Sequence, residues 1–418
     1  MNVEAVTRRA PRPALMLLAF MMSVGPFGDT EYTPAMPAIA HSLNTTYGMV
    51  QFTMASYLIG SAISRLVYGP VSDRFGRRPI MLAGAIILVA GGLLCVLSFS
   101  IWPLIAGRLI QGVGACAGGV LSDAVVRDAF SADEREGIYA KLMAVFAMAP
   151  AVGPIVGVYA ASKLGWHGNF ALLLALAILL FVLVWRFLPE TLLDPNPHAL
   201  EPRALGRSYW AVLKGRGFLV YSFLGGLCVG VVYAALIGAP ALVYTLLGLG
   251  DFAIMIVAAA IFTAFVIGSG LCALASDRIP DLWIFSAGLW VMLAGGAGLL
   301  AVAVLLGKEA TFASLLAPIA VSFIGVGLII PATTANAVAP FKENAGAASS
   351  MFGFILMGTA ALATGGMSGL PSRSELDMPI VFLSLTLIAI LMLVGYVIKC
   401  GGVVATIASF PTPQRRSR

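Results

Sequence analysis

The chain has 418 residues, of which 60% are hydrophobic and only 11% charged, against roughly 25% charged in soluble globular domains. With a mean hydropathy of +0.97, these values exclude a soluble fold and point to an integral membrane protein. The net charge of +6 does not imply nucleic acid, because the basic residues are scattered in short loops beside apolar runs and form no stripe or aromatic-interleaved patch.

Apolar runs near the length that crosses a bilayer, about 20 residues, predict spans at 14–38, 50–71, 79–99, 103–126, 138–162 and 169–188. A second set follows at 217–243, 252–275, 283–306, 310–334, 344–368 and 378–402. The expected fold is therefore all-α, with twelve transmembrane helices in two six-helix bundles. The first run is too long for the apolar part of a cleavable signal and is read as a span. The predicted domains are an N-terminal bundle, 1–188, a cytoplasmic linker rich in proline and polar residues, 189–216, and a C-terminal bundle with a cytoplasmic tail, 217–418. Only Lys163, Lys308 and Arg373 fall in loops on the side opposite the linker. The positive-inside rule then places both termini in the cytoplasm and the protein in the cytoplasmic (inner) membrane.

The five cysteines lie in or at the ends of apolar runs without a CxxC pattern, so neither a disulfide framework nor a metal site is expected. His41, His167 and His198 all fall in predicted loops. No nucleophile and base pair lies inside a span and no P-loop is present. An enzyme is disfavoured, and no cofactor is implied.

Between the second and third spans the chain reads Gly69-Pro-Val-Ser-Asp73-Arg74-Phe-Gly76-Arg77-Arg78. Gly76 permits a tight reversal, and the charges hold this hinge at the membrane surface. Ser72-Asp73-Arg74 recurs as Ser276-Asp277-Arg278 after the eighth span. A parallel repeat of two bundles explains the echo and places a cavity at their interface.

A charge at mid-membrane costs at least about 2.5 to 3.5 kcal/mol unless paired or hydrated, so the few ionisable residues inside spans are the main functional candidates. Asp29 and Glu31 lie roughly 22 to 25 Å from the start of the first span at the helical rise, and Arg108 lies about 8 Å into the fourth from the opposite side. All three share a depth. Two residues apart is roughly 200° around a helix, so both carboxylates face one cavity only if the helix is distorted. Pro34 and Pro37 remove the bonds to Thr30 and Thr33 and make that distortion plausible. Burial disfavours an ionised carboxyl and a neighbouring arginine favours it, a competition that a substrate can alter. The structural alternative is a plain ion pair with Arg108. Arg65 and Asp123 form a candidate buried ion pair across the second and fourth spans. Arg127, one helical turn from Asp123, is the competing partner. Tyr32, Tyr57, Phe146, Tyr233 and Asn336 are candidate cavity-lining residues, and the aromatics serve equally as packing.

The hinge motif resembles the loop signature of the major facilitator superfamily, and the likeness extends along the whole chain. Arg108-Leu-Ile-Gln111-Gly112-Val-Gly114 resembles the membrane-embedded arginine motif of its proton-coupled drug exporters. Ala149-Pro150-Ala-Val-Gly153-Pro154-Ile-Val-Gly157 resembles their antiporter motif. Tyr32-Thr-Pro34-Ala-Met-Pro37 is similar to a segment of the bicyclomycin and chloramphenicol resistance (Bcr/CflA) subfamily. That subfamily usually carries an aspartate where this chain has Thr30, so the proton site is displaced to, or shared by, Asp29 and Glu31.

The resemblance implies a cytoplasmic gate in which Asp73 meets the N-terminal end of the eleventh helix near Asn344–Ala347 and Arg77 pairs with Asp128, with Arg74 and Arg78 alongside. It also implies that Pro150, Gly153, Pro154 and Gly157 form a packing face that seals the halves against proton leak. The function implied is a monomeric exporter driving an amphipathic small molecule out of the cell against inward proton flow. The alternatives are a dedicated exporter of an endogenous metabolite or siderophore on the same fold, and a proton-coupled importer.

Overall fold

The computed structural model describes residues 10–215, 217–341, 344–370 and 376–403; the loop containing Arg373 and the tail beyond residue 403 lie outside them. The described residues are helical almost throughout. The first crossing is broken into α1 (Leu15–Thr30), a single 3-10 turn (Thr33–Ala35) and α2 (Met36–Ser42). Helices α3 (Tyr47–Phe75), α4 (Arg77–Val96), α5 (Ile101–Ala129), α6 (Ala132–Leu164) and α7 (His167–Phe187) complete the first set. A connecting helix, α8 (Pro202–Leu213), leads to α9 (Phe218–Pro240), α10 (Asp251–Ser276), α11 (Asp281–Leu305), α12 (Phe312–Val338), α13 (Ala345–Ser368) and α14 (Asp377–Lys399). His41 and His167, assigned to loops from hydropathy, lie instead in α2 and at the start of α7.

Ten of the described helices are long and apolar enough to cross a membrane. The broken first crossing and α3 bring the crossing segments to the twelve read from the sequence. The helix α3 has 29 residues, ample length, but carries buried Gln51, Thr53, Ser56, Ser61 and Ser64. Those groups turn inward: Ser56 donates to its own helix and to Ile105 of α5, and Gln51 reaches the Ile237 carbonyl of α9 at 3.4 Å.

The break in the first crossing follows from its prolines. Pro34 has no N–H for the Thr30 carbonyl, which accepts instead from the Thr33 hydroxyl at 2.9 Å. The helix stops there, and the chain restarts as α2 with Pro37 in its first turn.

At the hinge, Gly76 adopts φ +100°, a conformation that L side chains rarely take, and so separates α3 from α4. A methyl at this position would come within 2.5 Å of Glu190. The Glu190 carboxylate accepts from the backbone N–H of Arg77 (2.9 Å) and Arg78 (3.1 Å), the otherwise unpaired donors opening α4. It also accepts from Thr191 and Leu192, each at 2.9 Å, which fixes the chain leaving α7.

Small residues bring helices together in the absence of a water-driven force. Gly84, Gly91, Gly107 and Gly114 let α4 and α5 approach backbone to backbone. Between the two sets, α3 lies along α13, α6 meets α10, and α9 packs on the broken first crossing. Helices α5 and α9 are the most enclosed, with 67% and 78% of their apolar windows buried, whereas α7 and α14 (28% and 22%) turn apolar faces outward. The chain is thus a multi-pass membrane protein whose buried polar groups gather on the broken first crossing, α3 and α5.

Candidate functional site

Arg108 of α5 is the largest fully buried side chain. Its guanidinium lies between the rings of Tyr32 and Tyr57, 4.3 Å from each centroid. Such a desolvated cation–π contact is worth about 2 kcal/mol, which offsets part of the cost of a charge at this depth. Nη1 donates to the Gly28 carbonyl (2.9 Å) and to Gln111 (3.1 Å), while Nε and Nη2 have no partner. Among the described residues Arg108 forms no ion pair within 4.0 Å, so the plain structural pairing with a carboxylate is not what holds it.

The two carboxylates sit at the break. Asp29 lies in the last turn of α1 and accepts a hydrogen bond from Tyr233 of α9 at 2.6 Å, a contact between the two helix sets. Its second oxygen is unpartnered. Glu31 follows the helix end, is fully buried, and neither of its carboxylate oxygens has a hydrogen-bond partner. The backbone carbonyl of Glu31 accepts from Asn169 of α7 at 2.7 Å, which anchors the segment without engaging the acid. Glu31 keeps helical backbone angles and its N–H still donates to the Phe27 carbonyl at 3.1 Å, so the helix departs only after it and the two acids leave the axis in different directions.

The helix α6 supplies the other wall. A methyl on Gly157 would occupy the space of the Glu31 carbonyl oxygen, and one on Gly153 would meet the Thr30 hydroxyl. The flat face of Gly153 and Gly157 therefore receives the broken first crossing of its own helix set. Pro150 and Pro154 lie within the same stretch. Only a glycine face lets α6 approach close enough to cover Glu31.

At the hinge, Arg77 donates to Asp128 through Nε (2.8 Å), pairs with Asp73 (2.5 Å), and reaches Ser72 (2.7 Å). Every one of these partners belongs to α3 or α5. Arg78 donates to the Trp185 carbonyl at 2.7 Å, and Arg74 lies over the neighbouring Phe75 ring. The N–H of Asn196 donates to the Asp73 carbonyl at 2.9 Å. Asp73 shares a cavity of about 410 Å³ with Asn344, Gly346 and Ala347, but among the described residues its carboxylate pairs with Arg77 and not with the α13 backbone.

Two sequence expectations are corrected. The expected Arg65–Asp123 ion pair does not form: both line that cavity, but among the described residues no contact within 4.0 Å joins them. The Arg65 guanidinium instead lies against Gly353 of α13. Asn336 lies outside the lining of the hinge-end cavity. It donates to Asp281 of α11 (3.0 Å) and to Ala332 (2.9 Å), a tie within the second set. Phe146 is half-buried against the apolar core.

Sequence reasoning missed Glu190 and Asn169, and quoted Gln111 only as part of the arginine motif. Asn169 had a legible signal, as an uncharged polar residue beside an apolar run. Glu190 had none, because the helix it caps begins more than a hundred residues away.

The sequence profile of the Major Facilitator Superfamily matches residues 14–365. The chain is 28% identical over 376 residues to Multidrug resistance protein D of Escherichia coli K12, covering 84% of this chain and 87% of that protein. It is 29% identical over 292 residues to a bicyclomycin resistance protein homolog of Haemophilus influenzae, covering 67% and 72%. Among solved structures, a D-xylose–proton symporter superposes with a TM-score of 0.70 at 16% identity, covering 90% of this chain and 96% of that one.

Proposed function

The chain belongs to the Major Facilitator Superfamily, and from that premise we propose that it exports amphipathic small molecules across the cytoplasmic membrane in exchange for protons. The observation that carries this reading is Glu31, a fully buried acid without a hydrogen-bond partner at a helix break. Asp29 stands beside it, and Arg108 lies at the same site between two tyrosines. A carboxyl whose changing neighbours are water, cargo and a guanidinium changes its proton affinity as its surroundings rearrange. Coupling needs only that the two conformations differ in affinity for proton and cargo.

Glu31 is the proton carrier in this reading. Asp29 is the sensor, because its bond to Tyr233 links the two helix sets and breaks when they separate. The halves, 1–188 and 217–418, rock about the site, and the glycine face of α6 keeps water from Glu31. The hinge end faces the cytoplasm, as the distribution of lysine and arginine supports. There the Arg77 cluster braces α3, α4 and α5 as one body, and the close passage of α3 along α13 forms the closure between halves. The names of the drug-resistance relatives support a drug-like cargo.

The test is proton release from detergent-purified protein on adding candidate drugs. Wild type is expected to release protons, Glu31→Gln to release none, and Asp29→Asn to release them with weakened drug affinity. Undiminished release from Glu31→Gln would refute the assignment of the carrier.

A further inference from the structure

The cavity at the hinge end shares no lining residue with the Arg108 site. Its wall includes Arg65, Asp123, Arg127 and Ser350, and residues of the connecting segment, His198 and Tyr209 among them, line its other side. The Tyr209 hydroxyl donates to the Leu66 carbonyl at 2.7 Å and so fastens α8 beside Arg65. A volume of about 410 Å³ falls in the range of small-molecule sites, about 300 to 1,000 Å³.

The charges on this wall are unequal in their pairing. The Asp73 and Arg77 side chains are taken up by each other, and Arg77 also by Asp128. Arg65 has neither a hydrogen bond nor a carboxylate within 4.0 Å among the described residues, and its Nε is buried and unpartnered. It stands about 15 Å inside the end of α3 at the helical rise and is half-buried, so its guanidinium is reached from the cavity. Gly353 opposite leaves the guanidinium its room: a methyl there would lie 2.7 Å from Cδ and 2.8 Å from Nη1. A planar fork of donors held without an acceptor in a half-open cavity matches the geometry of a carboxylate or similar oxyanion.

We propose that this cavity is a binding site for small molecules bearing a carboxylate, with Arg65 as the residue that holds the anionic group. The carboxylate oxygens accept from the Arg65 fork, and the rest of the ligand lies under α8. The proposal rests on the transport reading only in taking the ligand to be a cargo; the binding itself does not depend on proton exchange. Anionic lipid headgroups share the same chemistry, and the experiment separates the two sources.

Full-length purified protein is assayed by scintillation proximity with tritiated naphthalene-2-carboxylate. The label is displaced with unlabelled carboxylate or with the neutral, isosteric naphthalene-2-carboxamide. Wild type is expected to prefer the carboxylate by roughly tenfold. Arg65→Gln brings the ratio near one, and Arg65→Lys keeps part of it, since the charge remains without the fork. The ratio is read by binding alone, without proton release, so the outcome is independent of the proton site; Gly137→Ala, whose added methyl meets nothing within 4 Å, leaves it unchanged. No preference in wild type, or an undiminished one in Arg65→Gln, overturns the proposal. The assay is repeated in nanodiscs of phosphatidylcholine with and without phosphatidylglycerol. Loss of carboxylate binding to wild type when phosphatidylglycerol is added would assign the site to lipid headgroups and overturn the cargo reading.

Discussion

A methyl group on Gly157 tests whether the glycine face of α6 governs the acid at the helix break. The built Cβ lies 2.6 Å from the carbonyl carbon of Glu31 and nearer still to its oxygen. An unstrained carbon–carbon contact is about 3.5 Å, so the two backbones must separate by about 0.9 Å or more. Neither can give way by rotating a side chain. Overpacking of this kind costs about 1 to 3 kcal/mol, and the separation would open a path for water to Glu31. In proteoliposomes carrying a pH gradient, Gly157→Ala is expected to lower drug efflux by roughly tenfold to a hundredfold, taking 1.4 kcal/mol per factor of ten. Gly153→Ala should lose less, because its close contact is the Thr30 hydroxyl, which can rotate, although Glu31 N lies only 3.2 Å away. Gly137→Ala, on the same helix with nothing within 4 Å, should behave as wild type. Wild-type efflux by Gly157→Ala, with wild-type melting, would refute the argument.

Arg108→Lys keeps a positive charge but loses the plane that stacks on Tyr32 and Tyr57; efflux should fall at least about tenfold, given about 2 kcal/mol for the desolvated stack, as measured in the same proteoliposomes. Tyr233→Phe removes the hydroxyl from Asp29 and should weaken drug-induced proton release without abolishing it, since Glu31 is untouched. Gly76→Ala forces a side chain into φ +100° and against Glu190; thermal melting should show a loss of about 1 to 3 kcal/mol. Gly353→Ala crowds Arg65 from the opposite helix and should reduce the carboxylate preference in the binding assay while leaving Arg65 itself intact.

The sequence located Asp29, Glu31 and Arg108 by their improbability within apolar runs and placed them at one depth. It also located the glycines of α6, but with the helix they receive left open. What it left undecided is pairing. Arg108 carries no mark in the sequence saying that it rests on two tyrosines and not on a carboxylate, and Arg65 and Asp123 share a depth and a cavity without touching.

Composition and local chemistry are properties of each segment, so the chain alone determined that it crosses a membrane many times, that a hinge opens at Gly76 and that Pro34 and Pro37 remove two helical bonds from the first crossing. Depth follows from counting along a helix. The rotation of each helix about its axis, and which neighbour it meets, depends on packing against other helices. Only the tertiary structure therefore decided that Glu190 caps α4, that Gly157 seats Glu31, that Tyr233 bonds Asp29, and that Arg65 lines a cavity without an acceptor.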